Sequence, residues 1–130
     1  NLYDRADFES DLAGVAQEHD LGVVSYFSLA SGFLTGKYRK AEDLEGKPRA
    51  ALLGKYFDER GQRVLDTLLA VAEEVSARPA QVAIAWLLTR PALTAPIASA
   101  TDLGQLDELL DAVDLTLPEA ALERLATASR

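Results

Sequence analysis

The chain is predicted to belong to the helix-rich, parallel α/β class, as a piece of a larger barrel or wound sheet. Three observations carry this. The expected elements run helix, strand, helix pair, strand, helix, helix, an alternation that builds βα units around a parallel sheet. Both strand-like runs, 23–27 and 93–97, lack a clean apolar and polar alternation, as strands covered on both faces do. Finally, two strands alone leave open edges, which parallel sheets normally bury among further strands. The missing strands are expected upstream.

The elements follow in order. Phe8, Leu12, Val15 and Ala16 have the spacing of an amphipathic helix over 7–19. Leu21-Gly22 ends it, with Gly22 suited to a left-handed or tight connection. Val23-Val24-Ser25-Tyr26-Phe27 reads as the first strand, followed by a polar stretch to about Phe57. Val64, Leu65, Leu68, Val71, Ala72 and Val75 stripe a helix over 58–77. Pro79 opens the next, 79–89, because proline is tolerated at the first helical position. That helix is apolar nearly all round, which predicts burial.

Pro91 stops it, and Leu93-Thr94-Ala95-Pro96-Ile97 reads as the second strand. Thr101 or Asp102 caps the following helix, Asp102 and Gln105 having capping-box spacing. Leu103, Leu106, Leu109, Leu110 and Val113 are its expected inner face. Thr116-Leu117-Pro118-Glu119 predicts a threonine cap for the last helix, striped by Leu122 and Leu125. No internal repeat interrupts this order.

Composition narrows the function classes. A chain of 130 residues with 48% hydrophobic and 26% charged content is that of one folded domain. A net charge of −8 argues against nucleic acid as a partner, which requires clustered Lys and Arg. The absence of cysteine removes disulfides, zinc ribbons and thiol catalysis, and fits a reducing, cytoplasmic location. No apolar run approaches the roughly 18–20 residues of a membrane span, so no membrane partner is expected. NLYDRADFES lacks the apolar core of a signal peptide. There is no methionine, and Asn1 is therefore expected to be an internal position of a longer chain or a processed end.

The charge is unevenly spread. Residues 37–63 hold Lys37, Arg39, Lys40, Lys47, Arg49, Lys55, Arg60 and Arg63 against five acids, net +3, which leaves −11 elsewhere. Such a segment is either a solvated loop or an electropositive lip over an anionic ligand.

Ligands of parallel α/β sheets lie beyond the carboxyl ends of the strands. The first such end is SYFSLASGFLTGKY, 25–38, where small residues admit a ligand and hydroxyls can donate to oxyanions. Lys37 can neutralise a phosphate as a point charge. The second end, Ala98-Ser99-Ala100-Thr101, leads into a helix N-terminus, whose free N–H groups favour an anion. A phosphate-bearing ligand spanning both turns is one reading; ordinary turn and capping chemistry is the other.

These residues also carry a resemblance. Tyr26 through Tyr38 resembles the aldo-keto reductase pattern Y/W-S-P-L-A-x-G-x-L-T-G-K-Y. Pro79 through Leu88 is similar to that family's P-A-Q-x-A-L-A-W-L-L helix, and Ile97 through Glu108 to its I-P-G-A-S-x-x-x-Q-L-x-E-N. Asn1 through Arg5 resembles its Y-N-L-x-D/E-R. The likeness covers essentially the whole chain in the family's order.

The resemblance implies a (β/α)8 TIM barrel that binds NADPH at the carboxyl ends of its strands. Residues 1–130 would be the C-terminal part of that single barrel domain, with the seventh and eighth strands and their helices, the N-terminal part being absent. By resemblance, Tyr26 would stack on the nicotinamide. Phe27, Ser28, Leu29, Ala30 and Ser31 would cradle the pyrophosphate, and Lys37 would contact a phosphate. Ser99 and Thr101 would hold the adenosine ribose phosphate, with Gln105 and Glu108 at the adenine end.

Several positions depart from the pattern. Phe27 and Ser28 stand where serine and proline are usual, and Ala98-Ser99 where Pro-Gly is usual. Leu109 replaces an asparagine. Asp102 occupies a position often Arg or Lys, and an acid beside a 2′-phosphate repels it, which would favour NADH. As a helix cap facing away, Asp102 would leave NADPH unaffected.

No catalytic residue is assigned in this chain. The family's Asp, Tyr, Lys and His tetrad comes from earlier strands, and Tyr3, Tyr38 and Tyr56 match none of it. His19 reads as a surface or capping residue and Trp86 as helix core, and no metal site is expected. The implied activity is that of an NAD(P)H-dependent oxidoreductase reducing an aldehyde or ketone to an alcohol. The isolated chain is expected to be inactive. The alternatives are a non-catalytic regulatory subunit on the same barrel and a helical interaction module.

Overall fold

The computed structural model describes residues 1–47 and 50–130; Arg49 of the basic segment lies outside them. A π-helical turn, Phe8–Leu12, runs directly into α1 (Ala13–Glu18). His19 closes α1 with its backbone N–H on the carbonyls of Val15 and Gln17, and is exposed. The left-handed residue after this helix is Asp20 (φ 50°) rather than Gly22. A short polar side chain tolerates that region by bonding locally.

Strand β1 (Val24–Ser25) is shorter than its predicted run. Phe27 takes φ 52°, which ends the extended backbone. A 3-10 segment (Ala30–Thr35), a second (Ala41–Leu44), α2 (Ala50–Leu53) and a third 3-10 turn (Gly54–Tyr56) occupy the polar stretch.

Helix α3 (Glu59–Glu74) starts where Asp58 accepts the Gly61 N–H at 2.6 Å, and buries Val64, Leu65, Leu68, Val71 and Ala72. It stops short of the predicted residue 77 because Ser76 turns left-handed (φ 53°). Helix α4 (Pro79–Leu88) has its proline in the first turn and buries Ala80 and every residue from Val82 to Leu87, as an all-apolar helix should.

Strand β2 (Ala95–Pro96) pairs in parallel with β1, Val24 facing Ala95 and Ser25 facing Pro96. The Val23 carbonyl accepts from Thr94 N (2.8 Å) and the Ser25 carbonyl from Ile97 N (2.7 Å). Val24 is 57% and Tyr26 74% exposed, so within this chain the strands are not covered on both faces. Among the described residues no third strand flanks the pair.

Helix α5 (Leu103–Asp111) is capped by Asp102, which accepts the Gln105 N–H at 2.9 Å. The reciprocal half of the box is displaced by one residue: Gln105 Oε1 accepts from Thr101 N at 3.1 Å. The expected inner face of α5 is open, with Leu103, Leu106, Leu110 and Val113 exposed and Leu109 alone of the stripe packing on the core. Helix α6 (Glu119–Ala128) begins after Pro118, and Thr116 makes no capping bond. Proline already supplies a preset backbone at that entry.

Helix α3 packs on α4 and α6, and α4 packs on α5. One core joins them, centred on Trp86, Leu65, Leu68, Val82 and Leu125. An aromatic cluster extends it below the first turn: Phe33 stacks on Tyr56 (5.1 Å) and Tyr56 meets Tyr3 edge-on (4.9 Å). Burying Phe33 there stabilises the turn by about 1.5–3 kcal/mol. Arg60 lies on the Tyr3 ring and donates to the carbonyls of Tyr3 (2.6 Å) and Ser129 (2.8 Å).

Two tests follow from this packing. A Cβ at Gly61 would overlap the Tyr56 carbonyl oxygen, so Gly61→Ala is expected to cost about 3 kcal/mol, read as a lowered denaturant midpoint of the intact protein. Burial and the Asp4 carboxylate push the Tyr56 hydroxyl up to about 12. Its neutral form is favoured by folding, so this stability is complete below about pH 10 and is lost as pH rises towards about 12. Tyr56→Phe should flatten that alkaline loss in a pH series of unfolding midpoints.

Candidate cofactor groove at the strand ends

Parallel pairing brings the two carboxyl-end turns side by side. Between them lies a groove of about 530 Å³, walled by residues of the turns after β1 and β2 and of α2, α4 and α5. That is within the usual range of ligand pockets, about 300–1,000 Å³. A second cleft of about 400 Å³, between Ala16–Gly22 and Pro91–Thr94, opens at the amino ends of the strands. The carboxyl-end rule selects the first.

The turn after β1 is held in an unusual backbone. Phe27, Ala30 and Ser31 have φ of 52°, 50° and 58°, followed by Gly32 at 102° and Gly36 at 73°. Each non-glycine residue there costs roughly 1–2 kcal/mol, and such strain persists only where the surroundings fix it. Here they do. Ser28 is buried, its hydroxyl donating to the Ser25 carbonyl at 3.2 Å and meeting Ser25 Oγ at 3.1 Å. Asn1 Nδ2 donates to the Phe27 carbonyl (3.1 Å), and Thr35 Oγ1 to the Gly32 carbonyl (2.7 Å). Phe33 and Leu34 anchor the far side in the core.

Gly32 has a second role. A Cβ there would stand 3.4 Å from Lys37 Cε and 3.6 Å from Nζ, so the lysine lies across the glycine into the groove. Its ammonium is 4.9 Å from the Tyr38 ring and, among the described residues, pairs with no carboxylate. Two other cations of the basic segment are engaged structurally. Lys55 donates to Asp4 (2.9 Å) and Arg60 holds Tyr3 and Ser129. Burial pushes the Asp4 carboxyl up, but bonds from Lys55 and Tyr56 outweigh it and hold it below the usual range. Among the described residues the basic segment therefore forms no continuous lip, and Lys37 is its contribution to the groove.

Of the residues singled out in the sequence, Phe27, Ser28, Leu29, Ser31, Lys37, Ser99, Gln105 and Glu108 line this groove. Three do not. Tyr26 projects into solvent with its ring 5.3 Å from that of Phe27. Ala30 is wholly buried, and Thr101 is spent on Gln105, its hydroxyl 3.1 Å from Oε1. Asp102 faces its own helix, its carboxylate taken by the Gln105 amide and side chain (2.9 and 2.7 Å). Asp102 is thus the cap of α5.

Sequence reasoning missed Arg78, Leu52 and Ile97, which also line the groove. Leu52 and Ile97 look like ordinary apolar positions, and only the fold brings them here. Arg78 did carry a signal, an arginine where a helix cap belongs. Among the described residues no group of three or more His, Cys, Asp or Glu could hold a metal, and no helix is long and apolar enough to cross a membrane.

A parallel strand pair joined by helices, with a lysine, hydroxyls and bent backbone at its carboxyl ends, defines a helix-rich α/β chain. The chain belongs to the aldo/keto reductase family, whose model matches residues 1–130. It is 37% identical over 126 residues to an uncharacterized oxidoreductase of Mycobacterium tuberculosis, covering 95% of this chain and 38% of that protein. It is 31% identical to a probable voltage-gated potassium channel subunit beta of Arabidopsis thaliana, covering 88% of this chain and 37% of the relative. An aldo-keto reductase of Strobilurus tenacellus is 29% identical over 98% of this chain and 40% of its own length. The chain thus spans less than half of the curated relatives it matches.

Replacing Gly32 with alanine tests how far the turn depends on this backbone. At φ 102° the alanine is strained and its methyl presses on Lys37, so a loss of about 1–2 kcal/mol is expected from the unfolding midpoint of the intact protein.

Proposed function

We propose that the chain is the cofactor-holding C-terminal portion of an NAD(P)H-dependent oxidoreductase that reduces aldehydes or ketones to alcohols. In this reading β1 and β2 are the seventh and eighth strands of a (β/α)8 barrel, and 1–130 is the C-terminal part of its single domain. The observation that carries it is the groove itself, where both carboxyl-end turns meet around Lys37.

The residues present fit a dinucleotide. Lys37 supplies a cation, Ser31 and Ser99 supply hydroxyls, and the glycine beneath Lys37 leaves room for close approach. The amides of Ser28, Leu29, Ala98 and Ser99 have no acceptor among the described residues and are free to donate to phosphate oxygens. When bound, the reduced nicotinamide supplies the hydride. The chain's own part is to bind and orient: Lys37 neutralises phosphate charge, the left-handed turn presents backbone donors without reorganisation, and Tyr26 offers an exposed aromatic face for stacking. The acid–base residues belong to the segment before Asn1, so the chain alone is inactive. The substrate is a small carbonyl compound, and the location cytoplasmic. A net charge of −8 disfavours nucleic acid.

The likeness to a probable potassium channel beta subunit favours a second reading, a non-catalytic regulatory subunit on the same barrel. The helical-module reading has lost its support, since the chain contains a parallel strand pair and belongs to the family.

Calorimetric titration of the intact protein with NADPH tests the proposal. Saturable binding is expected, weakened about tenfold by Lys37→Ala, equivalent to ~1.4 kcal/mol. No saturable binding of NADPH or NADH would overturn it. Loss of nicotinamide absorbance with added aldehydes then separates enzyme from regulatory subunit.

A further inference from the structure

Arg78 works against its own helix. It is the N-cap of α4 and makes no side-chain capping bond. Ser, Thr, Asp and Asn are favoured there because their oxygens accept an amide N–H, whereas a guanidinium has no acceptor. Its charge also faces the positive end of the helix dipole. Gln81 takes over part of the capping by accepting the Arg78 N–H at 2.8 Å.

Beyond that bond, little local contact holds the side chain. The Arg78 side chain is 75% exposed, so packing does not hold it. Its Nε stands 3.8 Å from Glu108 Oε2, a distance at the limit of an ion pair, and exposed pairs of that kind contribute little. Arg78 and Glu108 nevertheless both line the groove, and among the described residues Glu108 is its only acidic lining side chain. Among the described residues the groove therefore has two cations on different elements: Lys37 on the turn after β1, and Arg78 at the start of α4.

A lysine is a point charge suited to a bridging diphosphate, whereas the planar guanidinium fork matches the oxygens of a terminal phosphate monoester. Such a monoester also carries the greater charge, about −1.5 to −2. NADPH has one and NADH has none.

We propose that Arg78 is a selectivity residue of the groove, its guanidinium contacting the ribose phosphate that distinguishes NADPH from NADH, with Glu108 as its counter-ion before the ligand binds. This rests on reading the groove as a dinucleotide site. In this proposal an arginine unfavourable for helix stability serves the groove by placing a fork-shaped cation at its wall.

The test is calorimetric titration of the intact protein, wild type, Arg78→Ser and Arg78→Lys, with NADPH and separately with NADH. Arg78→Ser is expected to weaken NADPH about tenfold or more while changing NADH by less than about twofold. Arg78→Lys should restore part of the loss, keeping the charge without the fork. Because serine is the better cap, Arg78→Ser should show a Tm at or above the wild-type value, which a merely structural arginine would not. Equal weakening of both nucleotides, or no change in either, overturns the inference while the dinucleotide site stands. A wild-type protein that binds neither nucleotide overturns the reading of the groove itself.

Discussion

The hydrogen bonds from Thr94 and Ile97 to the carbonyls of Val23 and Ser25 set the geometry on which the rest depends. They are few, because each strand is two residues long. Yet they fix direction and register together, so the turn after Ser25 and the turn after Pro96 emerge at the same end. An antiparallel arrangement of the same segments would place them at opposite ends and no groove would form. The parallel choice requires a long crossover, and α3 and α4 provide it. Their buried stripes fix where the crossover lies.

The helices were the most legible part of the sequence. A full apolar stripe or an all-apolar run, with Asp58 or Pro79 at the start, leaves little choice of period or boundary. The strands were legible in position but not in extent, since Phe27 leaves the extended region for reasons that lie in the turn and not in its own β preference. The last helix showed why capping patterns mislead: Thr116 has the right spacing, but Pro118 already fixes the backbone and the hydroxyl is not used. The exposed stripe of α5 was misread because a pattern reports what a helix is able to bury, not whether the surface that covers it belongs to the same chain.

The groove was legible where its chemistry is local. Lys37, Ser31 and Ser99 sit in turns whose composition already looked unlike core or ordinary loop. Arg78 was overlooked because its place beside those turns is created by the helix crossing, through the contact of α4 with α5, and not by proximity in sequence. Tyr26 shows the reverse: a motif names the residue, while its exposed ring records that nothing in this chain holds it. Family membership and the groove thus rest on separate observations, one on the order of motifs and one on the geometry of the strand ends.

The open stripe of α5 has a consequence for how the chain behaves in solution. Leu103, Leu106, Leu110 and Val113 lie on one side of a helix in a molecule whose net charge is −8. Like charge keeps copies apart over a distance set by the Debye length, about 10 Å at 0.1 M ionic strength. Apolar attraction is not screened in the same way, and sulfate or phosphate strengthens it. Ionic strength is therefore expected to act as a colloidal control on this chain, dilute buffer favouring dispersion and added salt favouring contact between the leucines of neighbouring copies.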